Sequence, residues 1–235
     1  MEKKQVVLLP ALLCNGDIFI NQVHHLQNEA EFFIPSLGTD GTVRDLAARI
    51  LTQAPKTFAL GGISMGGYVA FEILRQAPER VSSLLLMDTT ATADAPEKKE
   101  SRLQMMQKAR TNGIEAVVPD VLLSVVAPQY RTLPQLRRFM TFMAQSVGVD
   151  AFCNEEKIIM SRPDSTEILS KISCPVFVAG GTADAITPPE KMQELAQKIP
   201  NARYCAAADS GHLCPLENPA AATLIFKQWL AATPA

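Results

Sequence analysis

An excess of positive charge is what this sequence most plainly lacks: 22 Lys and Arg stand against 24 Asp and Glu, a net charge of −2. No basic field is available to hold a nucleic acid or an anionic lipid surface. Charge of either sign is sparse, at 20% of residues, which argues against a disordered or heavily solvated chain. Paired cysteines are missing too. The five that occur, Cys14, Cys153, Cys174, Cys205 and Cys214, are odd in number, scattered, and never spaced C-x-x-C. A disulfide framework and a zinc ribbon are both disfavoured, and reduced, mostly buried thiols are expected. With three His in the chain, two of them adjacent (His24, His25), a His-built metal centre has little to work with, so neither metal nor cofactor is expected. No stretch approaches the ~20 apolar residues of a membrane span. The apolar run at 6–13 is short for a signal peptide, and Leu13 before Cys14 is not the small residue that cleavage requires. These absences predict a soluble, cytoplasmic protein with no nucleic acid or membrane among its partners.

What is present is an alternation. Apolar runs at 6–9, 32–34, 57–60, 81–87, 175–179 and 202–206 predict strands, and helical patterns at 18–29, 43–53, 66–76, 189–198 and 219–231 lie between or after them. Thr187 before Pro188-Pro189 and Asn218 before Pro219 read as helix N-caps. Continuous apolar strands separated by helices are the pattern of an α/β protein with a mostly parallel sheet covered on both faces. Residues 92–172 break the pattern with helical segments at 97–112, 114–126 and 134–147 and no strand. They are expected to form a helical cap inserted into a core made of 1–91 and 173–235. Met105, Met106, Met140 and Met143 in this stretch either pack the core or line a site for varied apolar groups. Arg131, Arg137 and Arg138 either greet an acidic substrate or carrier protein or form a solvated face.

The chemistry concentrates after the third strand. Gly62, Ser64 and Gly66 form G-x-S-x-G with a strand before and a helix pattern after, the context that motif requires. A turn this sharp strains its central residue, leaves room only for hydrogen at the flanking positions, and thrusts the Ser hydroxyl out above a helix N-terminus. No Lys follows the glycines to serve a phosphate. A Ser hydroxyl needs a base to take its proton and an acid to orient that base. Asp184 follows the strand at 175–179 and His212 follows the one at 202–206, so both are expected in strand-end loops at one edge of the sheet. Ser, Asp, His is also the chain order expected of this architecture. Asp88, at the end of the strand at 81–87, is the alternative acid. His24 and His25, in a helical pattern, are expected at the surface or in packing.

GISMGG around Ser64, GGTADAITPPE around Asp184 and SGHLCPLENP around His212 resemble the corresponding loops of the α/β-hydrolase superfamily, and the likeness runs over nearly the whole chain. The stretch from Ser161 to Pro175 resembles the exit from the cap in one branch of that superfamily. That branch holds small esterases, carbon–carbon bond hydrolases of aromatic degradation and the methyl esterase of biotin synthesis. The resemblance implies an α/β sandwich with a helical cap, with the strand at 6–9 standing where the family has its third. It also implies a catalytic set of Ser64, Asp184 and His212, with an oxyanion hole of the Leu12 and Met65 backbone N–H groups. Pro10-Ala11 stands where relatives carry His-Gly. The expectation is a serine hydrolase of a small carboxylic ester. A carbon–carbon bond hydrolase or acyltransferase using the same triad is the alternative, and a non-catalytic ligand-binding protein on the same fold is a further one.

Overall fold

In the computed structural model, which describes residues 3–234, the six apolar runs become β1 (Lys4–Leu9), β2 (Ala30–Phe33), β3 (Phe58–Ile63), β4 (Val81–Met87), β5 (Val176–Gly181) and β6 (Arg203–Ala207). They join in one sheet of order β2-β1-β3-β4-β5-β6. Every neighbouring pair is parallel. The chain moves outward from β1 to β2, returns to β3 and then winds steadily the other way. The winding therefore reverses between β1 and β3, and the crevice at their carboxyl ends is where such sheets bind ligands.

Side chains alternate across the strands. Val6 and Leu8 join one apolar cluster with Leu26 of α1 (Ile20–Leu26), while Val7 and Leu9 join another with Leu46 of α2 (Val43–Gln53) and Val69 of α3 (Met65–Gln76). Between β4 and β5 come α4 (Lys99–Asn112), α5 (Pro134–Ser161) and the short α6 (Thr166–Leu169), the helical insertion over the sheet. After β5 come α7 (Pro189–Gln197), the single turn α8 (Cys214–Glu217) and α9 (Pro219–Ala232). Phe226 and Trp229 of α9 close the first cluster, and Met192 of α7 enters the second.

Several expected boundaries shift for local reasons. The helix expected at 18–29 is a 3-10 turn, Gly16–Phe19, capped by the Asn15 side chain, followed by α1. The helix expected at 114–126 is a 3-10 turn, Ile114–Val117, and a π-helical turn, Pro119–Leu123. Pro119 has no N–H to continue a helical ladder. The pattern expected to end at 147 continues to Ser161 across a break at Gly148, whose φ is 79°. Asn218 caps α9 as expected, accepting from Ala221 N–H at 3.1 Å. Thr187 does not cap α7, whose N-cap is Pro188. All five cysteines are free thiols, three buried and two half-buried. Among the described residues, no helix is long and apolar enough to cross a membrane.

Candidate active site

Ser64 stands between β3 and α3 with φ 52° and ψ −115°. A residue with a side chain holds such a conformation at a cost of about 1–3 kcal/mol, so its surroundings must impose it. Ser64 N–H donates to Met87 O at 2.9 Å, and Ser64 O accepts from Gly67 N–H at 2.9 Å and from the Thr89 hydroxyl at 2.8 Å. The flanking glycines are steric necessities. A Cβ on Gly62 would lie 2.5 Å from Gly66 O, and one on Gly66 would lie 2.0 Å from Leu9 O. The first turn of α3 is thereby pressed onto the end of β1. Met65 opens α3, so its N–H is one that the helix's own ladder leaves unpaired.

Two further loops converge on the serine. Ser64 Oγ lies 2.8 Å from His212 Nε2, and His212 Nδ1 lies 2.7 Å from Asp184 Oδ2. Asp184 Oδ2 also accepts the Thr187 hydroxyl at 2.6 Å, and Oδ1 accepts the N–H groups of Ile186 at 2.7 Å and Thr187 at 3.2 Å. Burial pushes the Asp184 carboxyl up, but the His212 contact and the Thr187 and Ile186 donors outweigh it and hold the group down at about 2. An imidazole whose Nδ1 faces a carboxylate carries its proton there and leaves Nε2 to accept from the serine. The loops that carry Asp184 and His212 are pressed together. A Cβ on Gly181 would lie 2.1 Å from Gly211 O, and Ala183 N–H donates to Ser210 O at 2.8 Å.

Asp88 is fully buried at the end of β4. Its Oδ1 accepts Gly181 N–H at 2.8 Å and its Oδ2 the Cys214 thiol at 3.2 Å, and no hydrogen bond joins it to His212. Burial, and after it the Asp184 charge, pushes the Asp88 carboxyl well above the usual range. One ligand atom from each of Asp88, Asp184 and His212 lies within 4.8 Å of the others. The His212 nitrogens are directed at Asp184 and Ser64, and both carboxylates are engaged by N–H, O–H and S–H donors. This set is built as a hydrogen-bond relay and does not fit a cation.

Ser64 and His212 open into a cavity of about 660 Å³ between the sheet edge and the insertion, within the usual span for small-molecule sites. Leu12, Met105, Val121, Val125 and Ile159 share its lining with Tyr68, Arg102 and Arg162. The two guanidinium groups are neutralised within the wall. Arg102 binds Asp94 at 2.7 Å and Glu156 at 2.8 Å, and Arg162 binds Asp94 at 3.0 Å. Arg162 also lies over the Tyr68 ring, 4.0 Å from its centroid. Of the four insertion methionines named above, Met105 lines the cavity, while Met106, Met140 and Met143 are buried in the core. Arg131, Arg137 and Arg138 are exposed and lie outside the cavity. His24 and His25 are exposed at the end of α1.

Three residues with no expected part in the site also build it. Thr187 supports Asp184 as described. Buried Glu217 accepts N–H groups from both neighbours of His212, Gly211 at 2.7 Å and Leu213 at 2.8 Å, and from Ala127 of the insertion at 2.8 Å. Glu155 of α5 accepts Leu13 N–H at 2.9 Å. The signal for the two glutamates would have been an acidic residue within a stretch that packing must bury.

Over 218 residues the chain is 27% identical to a Mycobacterium tuberculosis protein carried under the name non-heme bromoperoxidase BpoC, covering 84% of this chain and 77% of that one. It is 26% identical over 223 residues to a pimeloyl-[acyl-carrier protein] methyl ester esterase of Nitrosomonas europaea, covering 88% of each. A solved thermophilic esterase of Thermogutta terrifontis superposes with a TM-score of 0.88 at 27% identity, covering 99% of this chain and 92% of that one. A family model for the alpha/beta hydrolase fold matches residues 4–219. The parallel sheet, the strained serine at its reversal point and this match agree: the chain belongs to the alpha/beta hydrolase fold family.

Proposed function

We propose that the protein hydrolyses a small carboxylic ester through an acyl-enzyme on Ser64. The observation that carries this reading is the relay from Ser64 Oγ to His212 Nε2 at 2.8 Å and from His212 Nδ1 to Asp184 Oδ2 at 2.7 Å. His212 Nε2 takes the hydroxyl proton as Ser64 Oγ attacks the ester carbonyl. The carbonyl oxygen becomes an oxyanion held by the N–H groups of Leu12 and Met65, the first beside the end of β1 and the second at the start of α3. Collapse of the tetrahedral intermediate expels the alcohol, which receives the proton from His212. Water then gives its proton to His212 and attacks the acyl-enzyme, releasing the carboxylic acid and restoring Ser64. Asp184 stays ionised throughout and keeps the imidazole in the right tautomer.

Residues 92–172 act as the cap that decides which esters reach Ser64, and residues 1–91 and 173–235 act as the core that carries the chemistry. Similarity to an esterase and to a methyl ester esterase supports an ester bond as the target. The test is covalent labelling with a fluorophosphonate probe together with turnover of short p-nitrophenyl esters. Ser64→Ala is expected to abolish labelling and to lower turnover at least ~10³-fold. Labelling that persists in the variant, or settles on another serine, overturns the assignment.

A further inference from the structure

The segment that leaves β1 makes a turn in which Cys14 N–H donates to Ala11 O at 3.1 Å, with Leu13 at φ 58°. That is the left-handed region, costing an L-residue with a side chain about 1–2 kcal/mol. Something must hold Leu13 there, and the contact that does so comes from the insertion. Leu13 N–H donates to Glu155 Oε2 at 2.9 Å, and both residues are buried, at 0% and 2% exposure. Among the described residues Glu155 makes no ion pair, while its neighbour Glu156 binds Arg102 at 2.8 Å. Burial drives the Glu155 carboxyl up to about 8, with the Leu13 N–H opposing and the Glu156 charge adding. A carboxyl group so costly to bury, with its hydrogen bond directed at one strained peptide, acts on that peptide.

We propose that Glu155 is a positioning residue for the oxyanion hole, fixing from the cap the turn that carries the Leu12 N–H. The inference rests on the serine-hydrolase reading. Leu12 lines the cavity with Ser64, and its N–H lies one peptide upstream of the N–H that Glu155 holds. Without Glu155 the Leu12–Leu13 peptide rotates to relieve the positive φ. The Leu12 N–H then loses its alignment with the developing oxyanion, where donor geometry is decisive.

Glu155→Leu and Glu155→Gln separate this role from plain packing. Glu155→Leu is expected to lower kcat for p-nitrophenyl butyrate by roughly 30- to 100-fold, somewhat less than the outright loss of an oxyanion donor, because the Leu12 N–H is misaligned and not removed. KM should stay within about threefold, because the donor acts on the transition state rather than on bound substrate. Affinity for a trifluoromethyl ketone, whose hemiketal places an oxyanion in the hole, should fall by a similar factor. Glu155→Gln keeps an acceptor oxygen and should recover most of both. A folded Glu155→Leu protein with unchanged kcat and inhibitor affinity overturns the proposal, as does Glu155→Gln impaired as badly as Glu155→Leu. If Glu155→Leu does not fold, Glu155→Asp withdraws the oxygen by one methylene; a kcat loss of about tenfold supports the proposal and an unchanged kcat overturns it. Fluorophosphonate labelling of the parent protein is the control. An unlabelled parent overturns the serine-hydrolase reading itself, whereas a labelled parent with kinetically identical variants overturns only the role of Glu155.

Discussion

Asp88 closes β4 and Asp184 follows β5, on neighbouring strands, and both side chains are sealed from solvent. Their surroundings make opposite acids of them. Asp184 collects His212, the Thr187 hydroxyl and two backbone N–H groups, and is held down at about 2. Asp88 collects one N–H and one weakly donating thiol, and is pushed well up by burial and by Asp184 itself. A strand-end position brings an aspartate to the site. The density of donors around it decides whether its carboxyl is held down or pushed up.

Exchanging the acids one at a time is the strongest way to break this comparison. Asp184→Asn preserves shape but favours the wrong imidazole tautomer, so turnover near neutral pH should fall by up to about 10⁴-fold. Thr187→Val removes one O–H donor and leaves the carboxylate in place. A loss of about tenfold is expected, since His212 keeps its carboxylate while that carboxylate loses one donor. Asp88→Asn should change kcat by no more than about threefold, because Asn keeps the shape and an acceptor oxygen for Gly181 N–H, and no hydrogen bond joins this position to His212. A severe Asp88→Asn with a mild Asp184→Asn would reverse the assignment, and two mild variants would leave a Ser–His dyad.

Thermal melts against pH sharpen the contrast, since the two groups contribute with opposite sign. Asp184 has a depressed value, so its stabilisation is fully present above the ordinary carboxyl range near 4 and is lost as pH falls toward 2. Asp88 has a raised value, so its stabilisation is fully present below that range and fades as pH rises toward its elevated value. Asp88→Asn should therefore flatten the fall in Tm on the alkaline side, and Asp184→Asn should flatten the fall on the acid side. Equal slopes in both variants would remove the distinction.

Most strands were legible because they are largely apolar runs ended by Gly, Pro or Asp, while β6, which contains Arg203 and is followed by Ala208, carries the weaker signal. The serine turn was legible because its requirements are local: a glycine on either side and a helix pattern after it. The two strand-end loops could be read for the same reason, and the structure brings Asp184 and His212 together with Ser64. What could not be read depends on partners remote in sequence. Glu155 binds a backbone N–H 142 positions away, and Glu217 binds one 90 positions away. A backbone donor leaves no trace in the pattern of side chains. Thr187 was misassigned because Thr before two prolines suits a helix cap as well as an acid's support. The stretch at 114–126 was misread as a helix because apolar spacing outweighed Pro119, whose missing N–H the fold obeys.

Glu217 has a consequence for how this architecture can be recombined. Its carboxylate clasps both peptides around His212 and the Ala127 N–H, while His212 N–H donates to Val125 O at 3.1 Å and a Cβ on Gly211 would lie 2.5 Å from Ala127 N. Residues 125–127 lie far from His212 in sequence yet form part of its seat. A chimaera that exchanges the whole insertion would therefore unseat the imidazole along with the cavity wall it meant to change. Grafts that keep residues 125–127 native would preserve the Ser64–His212–Asp184 hydrogen bonds and leave the remaining helices open to redesign.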